Sequence, residues 1–128
     1  MLKNILLVAL GGAAGSVARY LLSKAVQGAA ASSFPWGTMA VNVAGCLLIG
    51  LFYGLSESGG ARLGQDLKLM LTVGFCGGFT TFSTFANESL TLARTGDAIL
   101  SAAYIGASVA LGLLAVAAGA QLAKAFAS

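Results

Sequence analysis

The chain has no histidine, two cysteines and, in 128 residues, only four acidic and seven basic side chains. Without histidine there is no imidazole acid–base chemistry and no His-ligated metal. Cys46 and Cys76 form no C-x-x-C pair, which leaves a thiolate metal site or a disulfide framework without support. Both stand inside apolar stretches, where a free thiol serves as a small packing group. The basic residues form no cluster, so the footprint of a nucleic-acid binder is missing. Glu88 is the only carboxylate within a long apolar stretch, a poor basis for an enzyme.

What remains is apolar. The chain is 58% hydrophobic and 9% charged, with a mean hydropathy of +0.90, whereas soluble domains carry about 25% charged residues. Divided at its charges, it yields four spans at 4–23 (interrupted by Arg19), 25–56, 69–87 and 98–123. Each holds the ~20 residues that a helix needs to cross a ~30 Å hydrocarbon core. Helices are predicted at about 3–25, 35–56, 64–93 and 97–126, forming one all-α transmembrane domain over residues 1–128. The connections are short: an Ala-rich loop at 27–34, a loop at 57–63 with Gly59-Gly60, and a tight turn at Thr95-Gly96. They make an up-down-up-down bundle with both termini on one side. Lys3 ahead of an apolar run, with Ala13-Ala14-Gly15 behind it, also has the outline of a secretory signal. Arg19 followed by Tyr20-Leu21-Leu22 instead reads as the far end of a spanning helix.

Lys3, Arg62, Lys68 and Lys124 fall on one side of the membrane, and Lys24, Arg94 and the nearby Arg19 on the other. Cationic bias sets orientation, and four against three is almost none. The near balance points to insertion both ways round and an antiparallel, dual-topology homodimer; the alternative is that one charge suffices to fix the orientation. Eighteen glycines add to this. Gly11 with Gly15, Ala102 with Gly106 and Ala110, and Ser108 with Gly112 follow the small-xxx-small spacing that lets helices approach closely in lipid.

Residues 74–85, Gly-Phe-Cys-Gly-Gly-Phe-Thr-Thr-Phe-Ser-Thr-Phe, do not suit a plain hydrophobic anchor. Gly77-Gly78 predicts a helix broken near mid-membrane, with Thr80-Thr81 as caps of a second half. Non-helical backbone at that depth is tolerated only when buried in protein or lining a wet cavity. Carbonyls released by the first half suit a cation, Na⁺ rather than Mg²⁺ with its strict octahedral demands. The N–H groups opening the second half suit an anion. Phe75, Phe79, Phe82 and Phe85 recur at helical spacing, which on spacing alone is core packing. Phe82 and Phe85 also alternate with Ser83 and Thr84, and the electropositive edge of a phenyl ring attracts an anion.

Polar residues inside lipid usually face a partner, a cavity or a pathway. Thr38 and Asn42 share one face of the second helix, and Ser101, Tyr104 and Ser108 one stripe of the fourth. Hydroxyls can bond back to the carbonyl four residues earlier, so Asn42 and Tyr104 are the better pathway candidates, with Ser108 on the same stripe. Arg19 either snorkels to the interface or guards an anion vestibule. Glu88, near a helix end, fits a polar or ion-paired structural role.

With these residues in place, the chain resembles the small bacterial fluoride channels of the Fluc/CrcB family. The resemblance covers all four spans and is most specific in residues 74–85 followed by Glu88. It extends to Gly11-Gly12-Ala13-Ala14-Gly15 leading to Arg19-Tyr20, and to Pro35-Trp36-Gly37-Thr38 leading to Val41-Asn42 and Gly45. It implies an antiparallel homodimer in the bacterial cytoplasmic membrane, with two pathways for passive fluoride efflux that lowers toxic internal fluoride. It also implies a structural, untransported Na⁺ held by backbone carbonyls at Gly77 and Thr80. Phe82 and Phe85 match the family's phenylalanine box, Asn42 its pore asparagine, and Tyr104 with Ser108 its polar track. Gly112 departs from the pattern, since relatives can carry serine there. Proton-coupled small multidrug transporters share the size and the dual-topology dimer, but they depend on a carboxylate in the first helix, and this chain has none there. A non-conducting scaffold would leave residues 74–85 unexplained.

Overall fold

The computed structural model describes residues 1–30, 34–57 and 64–127, and these are helical throughout apart from short connections. Helix α1 spans Leu2–Ala30 and α2 Trp36–Glu57. The third span is composite: α3 (Gln65–Leu69), a π-helical segment (Met70–Cys76), α4 (Gly77–Phe79), two extended residues, then α5 (Phe82–Arg94). Helix α6 runs over Ala98–Ala127. Four spans, Leu2–Ala30, Trp36–Ser56, Gln65–Arg94 and Ala98–Ala125, are long and apolar enough to cross a bilayer, as expected of an integral multi-pass membrane protein. The first helix runs past the predicted residue 25 to Ala30. The Gly59-Gly60 loop and Arg62 lie outside the described residues.

Local chemistry sets the joints. Between α1 and α2 the Gln27 side chain acts as a staple: its Nε2 donates to the Phe34 carbonyl at 3.1 Å, and its Oε1 accepts from the Gly37 N–H at 3.0 Å. Gly96, at φ +90°, ends α5. Its N–H bonds to the Ala93 carbonyl at 3.4 Å, and the Asp97 N–H to that of Leu92 at 3.0 Å. This pair of bonds satisfies carbonyls that the helix end would otherwise orphan, and only glycine adopts that φ without a Cβ clash.

Helix α2 packs most extensively on α6, and α1 on the π-helical segment. Both interfaces are glycine-lined. A Cβ on Gly50 would strike the Val116 carbonyl, and one on Gly119 would come within 2.7 Å of the Leu51 nitrogen. A Cβ on Gly11 would strike the Met70 carbonyl, and one on Gly15 the Phe75 carbonyl and, at 2.9 Å, the Phe79 nitrogen. Lipid is as apolar as leucine, so helices associate through such close backbone packing rather than through hydrophobic burial. The predicted stripe Ala102, Gly106, Ala110 is exposed, and among the described residues nothing lies within 4 Å of a notional Gly106 Cβ, whereas Gly112 sits against Cys46. The remaining core, Met39, Leu92 and Tyr104 with Phe34 and Phe85 against them, joins the start of α2 to α5 and α6.

Gly15→Ala should therefore lower stability by about 1–3 kcal/mol, the cost of overpacking. Gly12→Ala, whose Cβ would lie 3.8 Å from the nearest atom, should change it by about 0.5 kcal/mol or less. Thermal unfolding of the two variants in one detergent compares them directly.

Candidate functional site

The interruption in the third span lies three residues beyond the predicted Gly77-Gly78. Both glycines belong to α4, and Gly77 is plainly helical at φ −62°, ψ −38°. The extended residues are Thr80 (φ −88°, ψ 161°) and Thr81 (φ −149°, ψ 121°). Glycine permits a break but does not force one. The helix stops where outside groups take over its backbone bonds.

Those groups come from α2 and α1. The Asn42 amide pairs with the main chain of Thr81 on both edges: Nδ2 donates to the Thr81 carbonyl at 3.0 Å, and Oδ1 accepts from the Thr81 N–H at 2.9 Å. Its acceptor edge stands in for the Gly77 carbonyl to which the Thr81 N–H would bond in a continuous helix. Arg19 Nε donates to the Gly78 carbonyl at 3.1 Å. Thr80 turns back on its own helix, its N–H and hydroxyl both bonding the Cys76 carbonyl, at 3.0 and 2.9 Å. The Thr81 hydroxyl accepts from the Thr84 N–H at 3.3 Å and caps α5, as the sequence leads one to expect of a threonine there. Among the described residues the carbonyls of Gly77 and Thr80 have no hydrogen-bond partner.

Beside this junction an open groove of about 440 Å³ is lined by Asn42, Thr80, Thr81, Phe82, Phe85 and Ser108, with Cys46 and Gly77 also on its wall. The structure thus brings together most of the residues singled out in the sequence. The Ser108 hydroxyl is buried and has no partner among the described residues, and Ser108 is part of the groove wall. The four phenylalanines form two pairs rather than one face. Phe75 and Phe79 stack at 5.6 Å before the interruption. Phe82 and Phe85 lie 6.0 Å apart after it, with Phe82 80% exposed. The Thr80 methyl seats in the notch left by Gly45, where a Cβ would collide with it.

Other candidates lie elsewhere. Ser83 and Thr84 are exposed on α5 and do not line the groove. Tyr104 is fully buried and donates to Glu88 Oε1 at 3.1 Å, with its ring 5.0 Å from that of Phe85. Thr38 and Glu88 line a separate cavity of about 230 Å³ with Ser23 and Gln27. Arg19, beyond its bond to Gly78, borders a cavity of about 450 Å³ with Tyr20 and Lys24. Thr72, Ser89 and Thr91 bond back to carbonyls four residues earlier, the mundane use of a hydroxyl in lipid. No group of three or more His, Cys, Asp or Glu side chains converges among the described residues, so a cation held here would rest on neutral oxygens.

Asn42→Leu should leave the Thr81 N–H unpaired in a low-dielectric setting and take one donor from its carbonyl, lowering stability by about 1–3 kcal/mol. It should also speed amide exchange at Thr81. Ser83→Ala, at an exposed position, should shift stability by about 0.5 kcal/mol or less.

Residues 6–120 match the family model described as "CrcB-like protein, Camphor Resistance (CrcB)". A protein of Phocaeicola vulgatus named fluoride-specific ion channel FluC is 51% identical over 115 residues, covering 90% of this chain and 93% of that protein. A FluC of Bacteroides fragilis is 51% identical over 128 residues, 98% of this chain and 99% of its own length. One of Flavobacterium psychrophilum is 44% identical over 123 residues, 96% and 98% of the two chains. Sequence match and four-span architecture agree across nearly the whole length, and the chain belongs to the CrcB family.

Proposed function

We propose that this protein is a fluoride-selective ion channel, passing fluoride down its electrochemical gradient across the bacterial cytoplasmic membrane and so lowering toxic internal fluoride. The observation that carries this is the end-to-end match to relatives named fluoride-specific ion channel, 51% identical over 98% of the chain in one case. The geometry supports it. Fluoride is small and strongly hydrated, so a pathway must replace its water with close N–H, O–H and aromatic-edge partners. The groove offers Phe82 and Phe85 rings, the uncommitted Ser108 hydroxyl and the remaining amide capacity of Asn42. Tyr104 belongs to the pathway on this reading as the polar neighbour that Phe85 leans on. Ser83 and Thr84 contribute only if a second copy closes over α5.

The groove is open on one side, and Phe82 stands out from it. An antiparallel homodimer, the arrangement that near-balanced charge allows, would cover that face and place the interruption of each third span near mid-membrane. The Gly77 and Thr80 carbonyls would then hold a structural Na⁺ between the two copies. They fit it: both are neutral oxygens without partners among the described residues, and nothing lies within 4 Å of a notional Gly77 Cβ, so a second chain can approach. Such an ion would offset the carbonyl dipoles that face each other there. The proton-coupled multidrug alternative is not favoured, because α1 carries no carboxylate.

Purified protein in liposomes tests the proposal. Fluoride efflux should need only a charge-balancing ionophore, and chloride should not replace fluoride; flux that requires a proton gradient and an organic cation would sink it. Phe82→Ile and Phe85→Ile should each reduce fluoride flux about tenfold or more, equivalent to about 1.4 kcal/mol in the barrier. Both should leave dimer assembly, read by cross-linking, near wild type.

A further inference from the structure

An α-helix leaves its last four carbonyls without intrahelical partners. For the helical stretch that ends at Phe79 these belong to Cys76, Gly77, Gly78 and Phe79. Cys76 is served twice by Thr80, and Gly78 is served by Arg19. Gly77 and Phe79 have no hydrogen-bond partner among the described residues. The choice of which carbonyls stay available is therefore made by side chains, and the only one of these that reaches across from another helix is Arg19.

Its reach is prepared by α1. Gly11, Gly15 and Arg19 follow one another at intervals of four and so share a single face. The two glycines lie against the backbone of the π-helical segment and of α4, with no room for a Cβ. Gly78 presses on the Gly12 backbone in turn. This close approach delivers the next residue on that face to the end of α4. The atom that makes the contact is Nε, in the middle of the guanidinium stem, so the bond depends on a donor at one place along the side chain.

The geometry points to Arg19 as a positioning residue for ion conduction: its Nε–H fixes the Gly78 carbonyl, and with it the course of the chain into Thr80 and Thr81, rather than attracting the anion with its charge. Asn42 holds the same junction from the other side through Thr81. The inference rests on the channel reading above. Loss of flux in the wild-type protein would count against that reading, whereas the ranking of variants bears on Arg19 alone.

Three substitutions separate donor from charge. R19Q puts an N–H at the position of Nε without a full charge. R19K keeps the charge but puts carbon at that position, with its nitrogen one atom farther on. R19M has neither. A hydrogen bond from a charged donor shifts a conformational population by on the order of ten- to a hundredfold. R19K and R19M should thus lose about tenfold or more of fluoride flux, while R19Q should keep the larger share, within about threefold of wild type. Flux is compared per folded protein, judged by helical circular dichroism and a single elution peak, so a variant that fails to fold counts as having lost the junction. R19Q and wild type should also share one ionic-strength dependence, because a charge acting at a distance is screened within about 10 Å at 0.1 M salt. R19K matching wild type while R19Q behaves like R19M, in flux or in folding, would overturn the assignment, as would three variants that conduct like the wild type.

Discussion

Everything at the junction depends on one pairing, the Asn42 amide against both the N–H and the carbonyl of Thr81. In water an extended residue between two helices costs little, because solvent takes the freed groups. In hydrocarbon each unpaired group costs several kcal/mol, and a continuous helix would win. Asparagine is suited to the task because its side chain carries one donor edge and one acceptor edge in the geometry of a peptide. A leucine there would favour rewinding the span, and a hydroxyl would satisfy only one of the two groups well.

The pairing also requires α2 and the third span to lie close and at fixed height. Gly45 admits the Thr80 methyl from the same helix that bears Asn42, and the glycines of α1 hold the opposite side of the span against Met70 and Phe75. Small residues thus do for this bundle what large apolar ones do for a soluble core: they set distance. The large apolar side chains, Leu6, Leu10, Leu113 and Leu114 among them, point outward and are exposed, as suits a chain whose solvent is lipid.

Much of this was legible in the sequence. Charge spacing marked out the four spans, because long runs with few charges are what cross a bilayer. Gly11 and Gly15 announced a close contact by their spacing, and Thr81 looked like a cap. What spacing cannot convey is which partner takes a freed group. Arg19 offered two readings, interface or vestibule, and the contact with Gly78 is a third, visible only once α1 and α4 are side by side. The interruption was expected at the two glycines because they are permissive, yet it falls at two threonines because Asn42 is opposite. The Phe75, Phe79, Phe82 and Phe85 series kept helical spacing and still splits into two pairs, since periodicity in sequence does not report the extended residues Thr80 and Thr81 between them. Ala102, Gly106 and Ala110 show the converse, a helical stripe that stays exposed among the described residues.

The π-helical segment Met70–Cys76 has a consequence for angular phase. Its bonds reach back five residues, as in the contact from the Gly77 N–H to the Thr72 carbonyl, so the segment holds more residues per turn than its flanks. Each residue in an α-helix advances the chain by about 100°, and a widened turn therefore rotates all that follows about the helix axis. Were Met70 to Cys76 ordinary α-helix, the phase of all that follows would change, and Gly78 and Thr81 would no longer face α1 and α2 as they do. The segment acts as a dial, set so that two helices on different sides can each grip the same short stretch of chain.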